Sequence, residues 1–189
     1  MSISKEMFLA ILALDAYNRD YAAVISLTGT QLGNATVNYG AGIAGVDQYK
    51  VWQKNSYYAL SYTLTGSMGG YSAGQKVIAY RGTDTPAGDF VTGWLAGAGW
   101  SGASQLGLAA STFEAVTGQS VSDAASLKPV VTGHSLGGGL AGYVSVLSGA
   151  AAKLPQSPLQ LPIALDRYLT RWPARRQTWH VARGWPDAE

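Results

Sequence analysis

The chain has 189 residues, of which 47% are hydrophobic and 13% are charged, and its net charge at neutral pH is +2. The apolar content excludes a disordered chain, the glycines follow no collagen period, and so small a net charge gives no support to nucleic-acid binding. With no cysteine and two histidines, the sequence excludes disulfides, thiolate catalysis and cysteine-based zinc sites, and we expect neither a metal nor a cofactor.

The first element is a predicted helix over residues 5–19, which begins near Ser4 and packs into the core. We favour it over a signal peptide, because Glu6 interrupts the basic region and no small-residue cleavage site follows. No apolar run reaches the roughly 18 residues of a transmembrane helix. The sequence leaves the location open between the cytoplasm and export without a signal peptide.

The middle of the chain is predicted to alternate strands and helices. In chain order these are strands at 48–53 and 56–65, a glycine-rich loop at 66–74, a buried strand at 76–80, a helix at 103–116, a second buried strand at 127–132 and a helix at 137–152. Alternation of this kind predicts an α/β fold, with a mostly parallel sheet and helices on its faces.

The composition changes near residue 152. Residues 153–189 hold five of the seven prolines, three of the six tryptophans and one of the 24 glycines, and their net charge is +3. We therefore predict a folded core over residues 1–152 and an atypical basic tail, rich in proline and tryptophan, over residues 153–189.

The motif G-x-S-x-G occurs twice, around Ser72 and around Ser135. In a nucleophile elbow a strand leads into the serine and a helix leaves it, so that the hydroxyl stands above the sheet edge and helix N–H groups face the developing negative charge. A predicted strand ends just before Ser135 and a predicted helix follows it, whereas Ser72 lies in a loop between two strands. Ser135 is therefore the predicted nucleophile, and Ser72 a turn serine.

Ester hydrolysis also needs two donors for the oxyanion, one from the residue after the nucleophile and one from another loop. Leu136 supplies the first by position. Residues 80–84, Tyr-Arg-Gly-Thr-Asp, end the earlier buried strand, and Thr83 there offers an N–H and a hydroxyl. Alone, these five residues fit an ordinary turn with an Arg–Asp pair slightly better. Together with the elbow they favour an oxyanion hole.

Residues 80–84 (YRGTD) and 132–138 (TGHSLGG) lie about fifty residues apart and resemble the oxyanion segment and nucleophile elbow of the class 3 lipase family, the fungal-lipase-like branch of the α/β-hydrolases. The resemblance covers residues 1 to about 152. It implies an α/β-hydrolase fold and a serine lipase or esterase, with an acyl-enzyme on Ser135 and an oxyanion held by Thr83 and Leu136.

The resemblance also implies a lipid or small ester substrate and contact with a lipid–water interface. It places Phe90 and Trp94 in a lid over the acyl pocket, although Trp94 fits an ordinary surface aromatic equally well. No nucleic-acid partner and no cofactor are implied.

The general base is the uncertain member of the predicted triad. Family members continue for well over a hundred residues past the nucleophile and provide first an Asp and then a His, whereas only 54 residues follow Ser135. In the order Ser, Asp, His, the candidates are Asp166 and His180, with Asp187 a poorer acid. A surface histidine beside Trp179 fits His180 somewhat better than the catalytic role. His134, next to the nucleophile, is predicted to pack at the sheet surface. The tail is interpreted as truncated, substituted or frameshifted.

Two alternatives stay open. The atypical tail favours a catalytically weak or inactive lipase-like domain that binds lipid or a partner. The pattern G-x-G-x-x-G at 40–45 and 97–102 is typical of dinucleotide binding, with Asp123 placed as the ribose-binding acid of the second copy. The first copy is predicted to lead into a strand and the second to be a flexible loop, both of which weaken this hypothesis.

Overall fold

The computed structural model describes residues 3–20, 28–82, 101–122 and 129–153, and for residues 101–104 and Lys153 it describes the backbone alone. The described residues hold five helices and six strands. In chain order they are α1 (Lys5–Asp15), β1 (Gln31–Leu32), β2 (Ala35–Asn38), α2 (Gly40–Ala44), α3 (Val46–Lys54), β3 (Ala59–Leu64), β4 (Lys76–Tyr80), α4 (Ser101–Thr117), β5 (Val130–Gly133), α5 (Leu136–Ser148) and β6 (Ala151–Lys153).

Helix α1 begins where the sequence predicts it. The Ser4 side chain accepts a hydrogen bond from the Met7 N–H at 3.2 Å and so satisfies one of the unpaired donors of the first turn. Leu9 and Leu12 are fully buried on its inner face. The helix ends at Asp15, however, and not at residue 19.

The six strands form one sheet in the order β1-β2-β3-β4-β5-β6. The pairs β1–β2, β2–β3 and β3–β4 are antiparallel, whereas β4–β5 and β5–β6 are parallel. The prediction of an α/β class is confirmed, but the described sheet is mixed and not mostly parallel. The connections explain part of the difference, since the turn between β1 and β2 is too short for a parallel crossover, whereas α4 and α5 connect the parallel strands.

Residues 48–53 are helical, so the prediction of a strand there is wrong. They lie in α3, where the rings of Tyr49 and Trp52 meet edge to face at 6.1 Å, as residues three apart on a helix do. Trp52 is buried in the core, while Asp47 and Lys50 form an ion pair in solvent. Burial of one helical face thus overrides the strand preference of Tyr, Val and Trp.

Both predicted strands around the loop at 66–74 are present, as β3 and β4. In β4, Ile78 and Tyr80 belong to one buried cluster, with helices α4 and α5, whereas Val77 and Ala79 belong to another, with α1. Strand β4 is therefore buried on both faces, as its apolar run predicts.

The later elements follow the prediction except at one boundary. The predicted helix at 103–116 is α4. Strand β5 contains the end of the strand predicted at 127–132, whose residues 127 and 128 lie outside the described residues. Helix α5 stops at Ser148, because Gly149 adopts the left-handed conformation with φ 67°. The predicted helix at 137–152 is thus too long, and its last two residues belong to β6.

Within the described ranges, no helix combines the length and the apolar character that crossing a bilayer requires.

Candidate active site

The parallel pair β4–β5 brings the two sequence motifs to the same edge of the sheet. Tyr80 is the register partner of Gly133, and each is the last residue of its strand. Parallel strands present their carboxyl ends together, so the residues that follow, Gly82 and Ser135, emerge side by side. The meeting of two segments that are fifty residues apart in sequence defines the candidate site.

Ser135 occupies a sharp turn between strand and helix. Strand β5 ends at Gly133, helix α5 begins at Leu136, and Ser135 itself has φ 58° and ψ −126°. These angles fall outside the regions that side-chain-bearing residues ordinarily occupy, at a cost of about 1–3 kcal/mol. The backbone is therefore that of a strained elbow, in the setting that the sequence predicts for this serine.

At Gly133 and Gly137, the two glycines of the motif, backbone segments approach too closely to leave room for a side chain. A Cβ atom at Gly133 would lie 2.8 Å from the carbonyl oxygen of Tyr80 and still closer to the backbone of Gly137. A Cβ atom at Gly137 would overlap the Tyr80 carbonyl oxygen. The first turn of α5 is thereby pressed against the end of β4.

The Ser135 hydroxyl is available at this turn. Its residue is half-buried, and the side chain makes no capping hydrogen bond to α5. A serine before a helix ordinarily caps it, so an uncapped hydroxyl leaves its oxygen accessible to another partner.

The N–H groups in the first turn of α5 differ in whether they have a hydrogen-bond acceptor. Those of Gly137, Gly138 and Gly139 donate to the carbonyl oxygens of His134 or Ser135. For the N–H of Leu136 the described residues provide no acceptor. Within the described part of the chain, Leu136 therefore carries a donor without an acceptor, next to Ser135 and at the positive end of the helix dipole.

Gly82 forms the other wall of the site. A Cβ atom placed on it would lie 2.9 Å from the His134 carbonyl oxygen and 3.3 Å from the Ser135 Cβ. The N–H of Gly82 donates to the Tyr17 hydroxyl at 3.0 Å, so this donor is already used. Thr83, the predicted second oxyanion donor, is the next residue along the chain and lies outside the described residues.

Arg81 belongs to the framework beneath the site. It is buried, and its guanidinium lies 4.4 Å from the centre of the Tyr58 ring. Its backbone N–H donates to the Tyr58 carbonyl oxygen at 3.0 Å. Burial is the main reason why the pKa of Tyr58 lies far above its ordinary value. The alternative pairing of Arg81 with Asp84 falls outside the described residues.

Tyr17 is a member of the site that sequence analysis missed. Its hydroxyl accepts from the Gly82 N–H and donates to the His134 carbonyl oxygen at 3.2 Å. Tyr17 follows the end of α1 and belongs to no motif, so no signal in the sequence distinguishes it from the other tyrosines. Only the tertiary fold brings it to the elbow.

His134 lies at the surface, as predicted, and its ring is exposed. The ring packs edge to face on Tyr17, with centroids 5.9 Å apart, and its Nδ1 lies 3.5 Å from the Tyr17 hydroxyl. That distance is at the outer limit of a hydrogen bond, and the single hydroxyl hydrogen is better placed on the nearer His134 carbonyl.

The second G-x-S-x-G motif has a different setting. Ser72 is exposed in the loop between β3 and β4, next to an isolated bridge between Met68 and Tyr71. Its loop leads into a strand and not into a helix. Ser72 therefore lacks the elbow backbone and the helix N–H groups, as the sequence predicts for a turn serine.

The remaining predicted site residues lie outside the described residues. They are the triad candidates Asp166 and His180, the poorer acid Asp187, and the lid residues Phe90 and Trp94. Within the described part of the chain, no three His, Cys, Asp or Glu side chains are grouped as a metal site would require.

The glycine pattern at 40–45 does not form a phosphate-binding loop, for a reason other than the predicted one. The pattern follows strand β2 and leads into helix α3, not into a strand. Its residues, however, form helix α2, in which the N–H groups of Ile43 and Gly45 donate to the carbonyls of Tyr39 and Ala41. The pattern is thus helical along its length, and is not the turn between strand and helix that a dinucleotide phosphate occupies. Of the second pattern, residues 97–100 lie outside the described residues, as does Asp123.

No protein-family model matches this chain, and no curated protein or solved structure matches it either.

Proposed function

We propose that this protein is a serine carboxylic-ester hydrolase, a lipase or esterase with an α/β-hydrolase-like core, as the resemblance to class 3 lipases implies. The observation that supports the proposal is the contact between Gly82 and Ser135 across the parallel strands β4 and β5. It joins the segment expected to form the oxyanion hole to a serine held in a strained elbow. Chance occurrence of either motif would not require the two to meet.

The proposed chemistry is acyl transfer through Ser135. Its Oγ attacks the ester carbonyl carbon, the carbonyl oxygen becomes an oxyanion, and the alcohol leaves with a proton to give an acyl-enzyme. Water then attacks the acyl-enzyme and releases the carboxylic acid. The substrate is a lipid or small ester, met at a lipid–water interface where the ester is an acylglycerol.

The oxyanion is proposed to bind two N–H groups. That of Leu136 has no acceptor among the described residues. The N–H of Gly82 is donated to Tyr17, so the second donor is assigned to Thr83, the following residue. Two donors preorganised in this way stabilise the transition state more than the ground state.

A base must accept the proton of Ser135 and return it to the leaving alcohol. We assign this step to His180, with Asp166 orienting its imidazole. In that assignment His180 takes the proton as Ser135 attacks and donates it to the alcohol oxygen, and the cycle repeats with water as the nucleophile.

Hydrolysis of p-nitrophenyl esters tests the proposal. The variant Ser135→Ala is expected to lose activity, whereas Ser72→Ala, which changes the same motif in the exposed loop, is expected to retain it. Equal loss in both variants, or activity that survives in Ser135→Ala, would contradict the assignment.

Labelling with a fluorophosphonate separates the proposal from the catalytically weak or inactive alternative that the atypical tail suggests. An active enzyme is labelled at Ser135 by one equivalent of the fluorophosphonate and hydrolyses the ester rapidly. An elbow without a working base would be labelled slowly and show only the small residual rate that binding and an oxyanion hole provide.

A further inference from the structure

The Tyr17 hydroxyl connects the two segments that make the candidate site. It accepts the N–H of Gly82 at 3.0 Å and donates to the carbonyl oxygen of His134 at 3.2 Å. The first segment ends strand β4 and the second ends strand β5, while Tyr17 itself follows helix α1. One oxygen atom therefore holds together three parts of the chain.

The bond to His134 fixes the peptide unit that precedes the nucleophile. The His134 carbonyl oxygen accepts from the Tyr17 hydroxyl and from the Gly137 N–H, the latter at 3.1 Å, so both of its lone pairs are occupied. The orientation of this peptide plane sets φ of Ser135, which is 58°. A residue keeps such an angle only where its surroundings over-determine it, and these two bonds do so.

The bond to Gly82 acts on the other wall. Its N–H belongs to the peptide that joins Gly82 to Arg81, just past the end of β4. The bond holds this peptide beside the elbow, where a Cβ atom on Gly82 would lie 3.3 Å from the Ser135 Cβ. The residue is a glycine whose missing Cβ would overlap the Tyr17 hydroxyl, so the contact depends on this residue type.

We propose that Tyr17 is a positioning residue for the oxyanion hole. Its hydroxyl holds the peptide before Ser135 and the peptide before Gly82 together, and so keeps the elbow backbone in the orientation that presents the Ser135 Oγ and the Leu136 N–H to the substrate. Tyr17 acts through these peptides, and the inference rests on the proposed function.

A residue that only stabilised the fold would lower the melting temperature without changing the kinetics of the folded protein. A positioning residue lowers kcat, because the transition state gains more from the oxyanion donors than the bound substrate does. Removing a whole oxyanion donor costs about 100–1,000-fold in kcat, so misplacing donors that remain present is expected to cost about 10–100-fold.

The variant Tyr17→Phe isolates the hydroxyl, since it keeps the ring that packs on His134 at 5.9 Å. The matched control is Tyr57→Phe, which removes a hydroxyl that bonds to Thr112 at 2.7 Å in the buried core. Both variants lose a hydroxyl and the hydrogen bonding it provides, but only the first touches the site. We expect Tyr17→Phe to lose about 10–100-fold in kcat with KM changed less than about twofold, and Tyr57→Phe to keep both values.

The experiment measures fluorophosphonate labelling of Ser135 by intact mass, together with p-nitrophenyl ester kinetics, for the full chain and both variants below their melting temperatures. Labelled wild-type protein and slowed labelling in Tyr17→Phe alone support the inference. Labelled wild-type protein with equal rates in Tyr17→Phe, or with equal losses in both variants, overturns it and leaves the proposed function standing. Unlabelled wild-type protein overturns the proposed function, and the positioning role with it.

Discussion

A Cβ atom at Gly137 would overlap the carbonyl oxygen of Tyr80, the last residue of β4. The backbone of Gly137 and that of Tyr80 cannot move apart without separating helix α5 from the sheet. The contact fixes the start of α5, and hence the elbow, relative to the strand that carries the other predicted donor. The close packing of α5 against the sheet therefore also fixes the geometry of the candidate site.

Replacing Gly137 with alanine is expected to destabilise the fold by more than 2 kcal/mol, roughly the cost of overpacking a rigid site, and to abolish activity. Gly139→Ala is the matched control two residues later in the same helix, where a Cβ meets nothing within 4 Å. Alanine there is expected to stabilise the protein by about 0.5–1 kcal/mol, because it favours the helix. Guanidinium denaturation measures both, and a tolerated Gly137→Ala would contradict the close approach.

The strain at Ser135 predicts an unusual order of stability. With φ at 58°, the free energy of unfolding of Ser135→Gly is expected to exceed that of Ser135→Ala by about 1 kcal/mol, since only glycine adopts this backbone without steric cost. Ser111, exposed within α4, provides the control. At this position the alanine variant is expected to be more stable than the glycine variant by about 1 kcal/mol, as in any helix interior. The same order at both positions would show that Ser135 carries no strain.

A buried ion pair joins α1 to the segment after it. The Arg19 Nε donates to the Asp15 Oδ2 at 2.5 Å, both side chains are 3% exposed, and the Tyr62 hydroxyl donates to the same carboxylate oxygen at 2.8 Å. Burial opposes the charge of Arg19, but Asp15 and, to a smaller extent, Tyr39 outweigh it, so the pKa of Arg19 is raised.

Asp15→Leu is therefore expected to cost about 3–5 kcal/mol, because it leaves the Arg19 guanidinium buried without its carboxylate. The control Asp47→Ala breaks the exposed pair with Lys50 and should leave the melting temperature unchanged. Thermal melts of the two variants make the comparison, and an unaffected Asp15→Leu would refute the assigned role of the pair.

Stability is expected to fall in alkali, because three buried tyrosines keep their protons in the folded state. Burial is the main cause that raises the pKa of Tyr58, Tyr62 and Tyr80 well above the ordinary value of about 10. Each stabilising contribution is complete below pH 10 and is lost as pH rises from there towards the folded pKa. The free energy of unfolding should decrease by about 1.4 kcal/mol per pH unit for each such tyrosine.

Tyr80→Phe checks this prediction, since burial is the one cause that raises the pKa of Tyr80. Denaturation curves between pH 8 and 11 should show a shallower decline for the variant above about pH 10, by the contribution of one tyrosine. An identical decline in the wild type and the variant would mean that Tyr80 ionises alike in both states.

The sequence alone determined the features that depend on local chemistry. The Ser4 cap of α1, the two-sided burial of β4 and the difference between the settings of Ser72 and Ser135 all follow from patterns within a dozen neighbouring residues. Such patterns are readable because a helix cap, a buried strand or an elbow has its own residue requirements.

Tertiary structure decided the rest. Residues 48–53 have the composition of a strand and yet form part of α3, because Trp52 is buried from a helical face. The contact of Tyr17 with Gly82 and His134 joins segments that lie far apart in the chain. No local pattern encodes such a contact, because its free energy comes from packing that exists only once the chain has folded.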